Sequence, residues 1–324
     1  MPKIHLNVDA TSLTGSSCMF RWKSQILDGL REPKMSCDVV YGIAVHAFVD
    51  EMYQSGDMGR AVAALKKAFA IPKYDKPDKK HMSDIMHCLD TSTSVWRDFC
   101  CKEEKFQLLQ LNKRQEDGTD KLCAATEINF SLPYYEDDTL SVSLTGTMDK
   151  LGKFTNNGIY ANGDWKSTSA RSDSPFRIKD YFSSYEMSVQ LKLYRFALML
   201  MAERYPDSIL GQIGATNTGS FIDAIFVRAN PRESVFIRGP VTVWTQEQMS
   251  EFKLMLDKKI AELAVAVRDN KFDKDGLATG VCQLKFGKCM MWNYCRQTNP
   301  AIQELILKKD FIVRQYNPLN FNDL

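Results

Sequence analysis

Leu140-Ser141-Val142-Ser143-Leu144-Thr145-Gly146-Thr147-Met148-Asp149-Lys150-Leu151 reads as a strand, because apolar side chains at 142, 144 and 148 alternate with polar ones at 141, 143, 145, 147 and 149. A pleated strand sends successive side chains to opposite faces, so Asp149 is expected on the face turned away from the core. Working outward, residues 158–166 repeat the parity, with Ile159, Ala161 and Trp165 set against Tyr160, Asn162, Asp164 and Lys166. Asp164 and Lys166 therefore share a face. Upstream, residues 122–132 set Thr126, Ile128 and Phe130 against Glu127, Asn129 and Ser131. Three neighbouring strands patterned in this way bring Glu127, Asp149, Asp164 and Lys166 to one polar surface.

Converging carboxylates make a hard-oxygen site suited to Mg²⁺ or Mn²⁺. A lysine beside them can orient or deprotonate a water, or neutralise charge growing on a phosphate. The chemistry this points to is hydrolysis of a phosphodiester. An isolated Asp-x-Lys on a strand face is more often only solvated, so the argument rests on what surrounds it. Gly42-Ile43-Ala44-Val45-His46 falls within residues 39–53, where Val45, Val49 and Met52 recur at helical spacing. Gln190 and Tyr194, four apart in residues 186–204, share a helix face. Taken singly, His46 reads as a packed core histidine and the Gln190/Tyr194 pair as a surface hydrogen bond.

Taken in order, the four motifs resemble the PD-(D/E)xK nuclease superfamily and, within it, the RecB-like exonuclease branch. That branch carries a helix with Gly-x-x-x-His, a strand with Gly-x-x-Asp, a strand with Asp-x-Lys and a helix with Gln-x-x-x-Tyr. The matching residues here span positions 42–194. The resemblance implies an α/β fold, a mixed central sheet flanked by helices with a helical N-terminal region. It also implies that His46, Asp149 and Asp164 hold the metal and that Lys166 is the catalytic lysine. Glu127 would occupy a further acidic position, and Gln190 and Tyr194 would line a DNA groove or steady the site. The expected activity is a metal-dependent deoxyribonuclease, an exonuclease on single-stranded DNA or duplex ends in recombination, repair or replication. The alternative is a catalytically silent nucleic-acid-binding or scaffold subunit of the same fold; the intact His, Asp, Asp and Lys set speaks against it.

Nine cysteines form a second pattern. An odd number, in a chain whose first ten residues lack the apolar core of a signal peptide, argues for reduced thiols. A cytoplasmic location is expected, in a bacterium or in the cytosol of a virus's host. Cys18 stands alone near the start, whereas Cys282, Cys289 and Cys295 cluster late, with six and then five residues between them. This layout is similar to that of CRISPR-associated and AddB-type nucleases, which hold a [4Fe-4S] cluster on one early and three late cysteines. Four thiolates suit such a cluster, which would act as a staple and not as a redox catalyst. In the commoner pattern, two residues and not six separate the first two late cysteines, so Cys282 is the weakest match. Zinc, also bound by four cysteines, is the competing metal, and plain buried thiols are the remaining reading. His87-Cys88 and Cys100-Cys101 are expected on helical core faces.

At 324 residues and a formal charge of +2, the chain has room for a sizeable core but no overall basicity to signal nucleic acid. Local basic groups at Lys73, Lys76, Lys79 and Lys80, and at Arg171, Arg177 and Lys179, are candidate phosphate contacts. No run of about 18 apolar residues is present, so no membrane association is expected. Nor is there a Gly-x-x-x-x-Gly-Lys-Ser/Thr phosphate loop, and any ATP-driven unwinding would fall to a partner such as a helicase or recombination protein. Residues 1–120 read as a mostly helical region carrying Cys18 and His46, with helices across 61–70 and 82–110. Residues 121–245 read as the nuclease core, with a polar loop at 167–184 and late strands at 219–228 and 234–244. Residues 246–324 read as a long helix and the cysteine cluster, packing back on the N-terminal region as one interlocked unit.

Overall fold

The structure, a computed structural model, describes residues 3–33, 37–70, 79–114, 118–170, 172–278, 280–284 and 287–319. Its main elements, in chain order, are β1 (Ile4–Val8), α1 (Cys37–Ser55), α2 (Met58–Phe69), α3 (Lys79–Asp98), β2 (Phe106–Leu108), β3 (Gln110–Arg114), β4 (Asp120–Ala124) and β5 (Thr126–Glu136). There follow β6 (Leu140–Phe154), β7 (Tyr160–Thr168), α4 (Pro175–Ser183), α5 (Val189–Arg204), α6 (Ile209–Gly214), β8 (Gly219–Phe226), β9 (Val235–Arg238), α7 (Gln246–Arg268) and α8 (Pro300–Asp310). Shorter turns of helix are named by their residues. The chain divides into two compact units, one of Met1–Met35, Phe130–Gly146 and Glu247–Leu324, the other of Ser36–Asn129 and Thr147–Gln246.

In the first unit β1 lies parallel to the start of β6, Ile4 opposite Leu140 through Val8 opposite Leu144. Asp9 starts the next helix through a capping box with Ser12, whose backbone N–H donates to the Asp9 carboxylate at 2.8 Å. Helix α7 buries Met249, Phe252, Leu256, Ile260, Leu263 and Val267, an i, i+3/i+4 stripe. A smaller apolar cluster gathers Cys289, Met291 and Phe311 with Phe20 and Tyr294.

The second unit is an α/β structure on a mixed sheet. The later part of β6 runs antiparallel to β7, from Lys150 opposite Gly163 to Lys153 opposite Tyr160. β7 runs parallel to β8 over eight residue pairs, and β9 closes on β8 antiparallel. Parallel neighbours require a crossover, supplied by α4, α5 and α6. All eight residues of β8 are buried, as expected for a strand covered on both faces. Helix α1 packs on β7 and α5 on β8. Val45, Val49 and Met52 are buried along α1, matching the stripe read from sequence.

Several local expectations are corrected. Helix α3 stops at Asp98, and β2 and β3 occupy residues assigned to a helix running to 110. β3 pairs with β4 as a separate hairpin, so the stretch 122–132 is two strands and not one. The polar loop at 167–184 contains α4. Ser174 caps it by accepting from the Arg177 N–H, and Pro175 sits in its first turn, where a missing N–H costs nothing. A proline that signals a break here starts a helix. Cys88 and Cys100 are buried, but Cys101 is exposed in a single 3₁₀ turn and not on a core face. Among the described residues, no helix is long and apolar enough to cross a membrane.

Candidate functional site

Antiparallel pairing of β6 and β7 ends at Lys150 opposite Gly163, and one step further the same register sets Asp149 across from Asp164. At this step the ladder gives way to a side chain: the Trp165 N–H donates to Asp149 Oδ2 at 2.7 Å. The Trp165 carbonyl accepts from His46 Nε2 at 3.0 Å. Because a carbonyl only accepts, Nε2 carries a proton, and Nδ1 is the nitrogen turned to Asp149, 3.5 Å from its Oδ2. The backbone of one residue of β7 thus orients both a histidine on α1 and an aspartate on β6. His46, Glu127 and Asp149 each offer a ligand atom, all within 4.8 Å of one another. Such a nitrogen and two carboxylate oxygens are a donor set for a divalent cation, with the imidazole oriented by a carbonyl behind it.

Asp164 and Lys166 form a neighbouring pair. Lys166 Nζ lies 2.5 Å from Asp164 Oδ2 and donates to Gln190 Oε1 at 3.1 Å. Gln190 Nε2 donates to Asp164 Oδ1 at 2.9 Å and lies 2.7 Å from the Tyr194 hydroxyl. Lys166 thus meets the buried Asp164 Oδ2 in a direct charge-assisted pair. The expected sharing of one surface by Glu127, Asp149, Asp164 and Lys166 needs qualification. That face is covered and not solvated: Asp164 is 1% exposed and Asp149 9%.

Burial dominates the electrostatics. It pushes the Asp164 carboxyl up to about 6 in spite of Lys166, with Asp149 adding to the rise. Glu127 is raised well above the ordinary carboxylate range by burial, then by Asp149 and Asp50, with Lys113 opposing. For Lys166, burial opposes the charge, but Asp164 and Asp149 outweigh it and hold the ammonium above its usual value. Crowded, desolvated acids gain by binding a cation.

Around Glu127 and beyond it, residues contribute that were not singled out from the sequence. Glu127 has φ +47°, a left-handed conformation rare outside glycine and often held in place at functional sites. Its neighbour Thr126 is tied through its hydroxyl to Asp50, one helical turn beyond His46 on α1, and to Gln54. Tyr181 and Tyr185 place their hydroxyls 3.1 Å apart, and Tyr185 contributes to the raised Lys166. On the other face of the sheet Lys150, 1% exposed, pairs with the buried Asp223 and lies 3.8 Å above the Trp165 ring. Arg238 grips Asp223 through two 2.8 Å hydrogen bonds and reaches Glu103. A lone Asp in the apolar run Gly219–Phe226 and a lone Lys beside Leu151 were the available signals.

The four cysteines Cys18, Cys282, Cys289 and Cys295 line one cavity of about 210 Å³ in the first unit, with Arg21, Lys274, Gly276, Trp292 and Arg296 also in its wall. A Cβ at Gly276 would lie 2.9 Å from Cys282 Sγ and 3.3 Å from Cys18 Sγ, so glycine keeps space open beside the sulfurs. Burial raises the Cys282 and Cys295 thiols, and the other cysteines add to the rise while Arg21 and Lys274 oppose it. Four such thiols suit a cationic metal group. Among the described residues no three of these sulfurs lie within 4.8 Å of one another. Zinc–sulfur bonds of ~2.3 Å in a tetrahedron would set them about 3.8 Å apart.

Of the basic residues, Lys73, Lys76 and Arg171, and the side chains of Lys79 and Lys80, lie outside the described residues. Arg177 is paired with Asp173 at 3.0 Å, and Lys179 is exposed.

A family profile described as the PD-(D/E)XK nuclease superfamily matches residues 13–296. No curated protein matches the chain.

Proposed function

The chain belongs to the PD-(D/E)XK nuclease superfamily, and from that premise we propose a Mg²⁺- or Mn²⁺-dependent deoxyribonuclease. Its substrates are single strands or duplex ends, degraded exonucleolytically in recombination, repair or replication. The observation that carries the reading is the convergence of His46, Glu127 and Asp149 beside the Asp164–Lys166 pair. A divalent ion held there supplies Lewis-acid polarisation of a phosphate and a bound water of lowered pKa. Asp164, which the strand register sets across from Asp149, completes the ligand set. Lys166 acts as an ammonium, since its neighbours hold it protonated. It orients the attacking water and neutralises charge on the phosphate instead of removing a proton. Gln190 fixes that ammonium relative to Asp164 from α5, and Tyr194 backs Gln190 from the next turn.

The four-cysteine cavity is proposed to hold a [4Fe-4S] cluster that cross-links residues far apart in the chain, with zinc as the competing occupant. Without a phosphate loop, strand separation falls to a separate helicase. The test is a labelled DNA single strand and a duplex incubated with Mg²⁺ or Mn²⁺. Wild-type protein shortens the label from an end, and Asp149→Ala and Lys166→Ala do not while still binding DNA. Full cleavage by Lys166→Ala in Mg²⁺, or none by wild type in either metal, rejects the proposal.

A further inference from the structure

Two buried hydrogen-bond donors in the wall of the cysteine cavity have nothing to bind. Trp292 Nε1 and Arg21 Nε are shielded from solvent and lack a hydrogen-bond partner, and both residues line the cavity with the four cysteines. Buried N–H groups are almost always paired, since leaving one unmade costs about 1–3 kcal/mol. An indole N–H can only donate. Two unpartnered donors on residues that wall the same sulfur-lined space therefore ask for acceptors there.

We infer that Trp292 and Arg21 donate hydrogen bonds to the sulfurs of an iron–sulfur cluster seated among Cys18, Cys282, Cys289 and Cys295. The inference rests on the cluster reading proposed above. A cluster presents bridging sulfides as well as cysteine sulfurs, all bearing negative charge, whereas a single zinc ion adds no acceptor of its own. The surrounding wall is built to meet such charge. Lys274 lies over the rings of Phe20 and Tyr294, at 4.8 and 5.2 Å, and these rings are themselves stacked at 5.4 Å. Arg296 lies 5.7 Å from the Trp292 ring centroid, and Lys288 5.3 Å from it. The indole thus has two cations near its ring, and its N–H is shielded from water. Adding an electron increases negative charge on the sulfurs, so each N–H donor favours the reduced cluster and raises its potential.

The test uses the full chain purified anaerobically. Wild type, Trp292→Phe, which keeps a ring but loses the donor, and Arg21→Lys, which keeps the charge but loses Nε–H, are compared with the double variant. Iron and acid-labile sulfide are quantified, and the midpoint potential is read from dithionite titration followed by electron paramagnetic resonance. The expected result is about four irons in each protein, with the midpoint shifted to more negative values in each single variant and further in the double. Air bleaching of the cluster absorbance should also be several-fold faster in the variants. Full iron loading with an unchanged midpoint overturns the donor assignment and leaves the cluster standing. Wild type without iron overturns both together. Should Trp292→Phe fail to assemble a cluster, wild type grown with ¹⁵N-indole tryptophan answers instead. Electron–nuclear double resonance of its reduced cluster then shows a ¹⁵N coupling and an exchangeable proton, and their absence overturns the assignment.

Discussion

At the scale of single residues, the Trp165 backbone is the pivot: its N–H fixes Asp149 and its carbonyl fixes His46. Mutation of the tryptophan side chain leaves these backbone contacts in place, so the informative changes lie among the groups they orient. Lys166→Ala should lower cleavage by about 10²–10³-fold or more, the range seen when a preorganised charge stabiliser is lost, with metal affinity little changed. Gln190→Ala should lower the turnover number more than it raises KM, because it frees the ammonium instead of removing it; an equal loss in Gln190→Glu and Gln190→Ala would argue against that clamp. Asp164 supplies a pH test. Its pKa is about 6 in the fold against ~3.9 in an unfolded chain. The metal-free fold therefore retains a proton that the unfolded chain releases, and stability falls as pH rises from about 4 to about 6. A cation must displace that proton, so apparent Mn²⁺ affinity should fall about tenfold per pH unit below about 6. Calorimetry at pH 5.5 in buffers of different ionisation enthalpy reads this as proton release on binding, and equal heats in all buffers would refute it.

At the scale of elements, the strands that carry the acids were legible because their parity is strict. Residues 141–149 and 159–166 alternate without a break, which placed Asp149, Asp164 and Lys166 on one face before any geometry was known. That parity does not report whether a helix covers the face, and α1 and α5 do cover the unit's sheet, hence the desolvation that raises Asp164. Period also failed where an element is short: β2 has three residues and β3 five, too few to distinguish a repeat of two from one of 3.6. The polar stretch 167–184 hides α4, because a proline such as Pro175 is tolerated in the first turn of a helix. The back of the sheet was missed because a lone Lys150 and a lone Asp223 become meaningful only when pairing brings them together. Gly163 belongs to that hidden layer. A Cβ there would lie 2.4 Å from the Phe221 ring and 2.6 Å from Lys150 Cε. Phe221 is locked among Phe106 and Phe154, and Lys150 is held by Asp223. Gly163→Ala should cost about 1–3 kcal/mol through overpacking, seen as a lower urea midpoint with an unchanged slope. Gly158→Ala is a poor control, because its φ is +71°, whereas Gly59→Ala in the first turn of α2 should be close to neutral or better.

At the scale of the whole molecule, Cys18 is separated from Cys282 by 264 positions, and the proposed shared cluster would close that span. For a flexible chain the closure entropy grows as (3/2)RT ln n, about 5 kcal/mol at this length and an upper bound, since residual structure in the unfolded chain reduces it. The four sulfurs are unequal in this respect. Cys282, Cys289 and Cys295 lie within 14 positions of one another, so removing one of them leaves Cys18 tethered to the other two. Removing Cys18 opens the entire span. A staple therefore predicts an asymmetry that a local metal site does not: Cys18→Ser should lower the thermal midpoint by several degrees more than Cys295→Ser, compared between preparations of matched iron content. In each variant the difference should disappear when iron is stripped anaerobically with a chelator, because the cross-link is then absent from both. Equal midpoints at equal iron would mean that the cluster only holds its own cavity together, with no contribution from closing the chain.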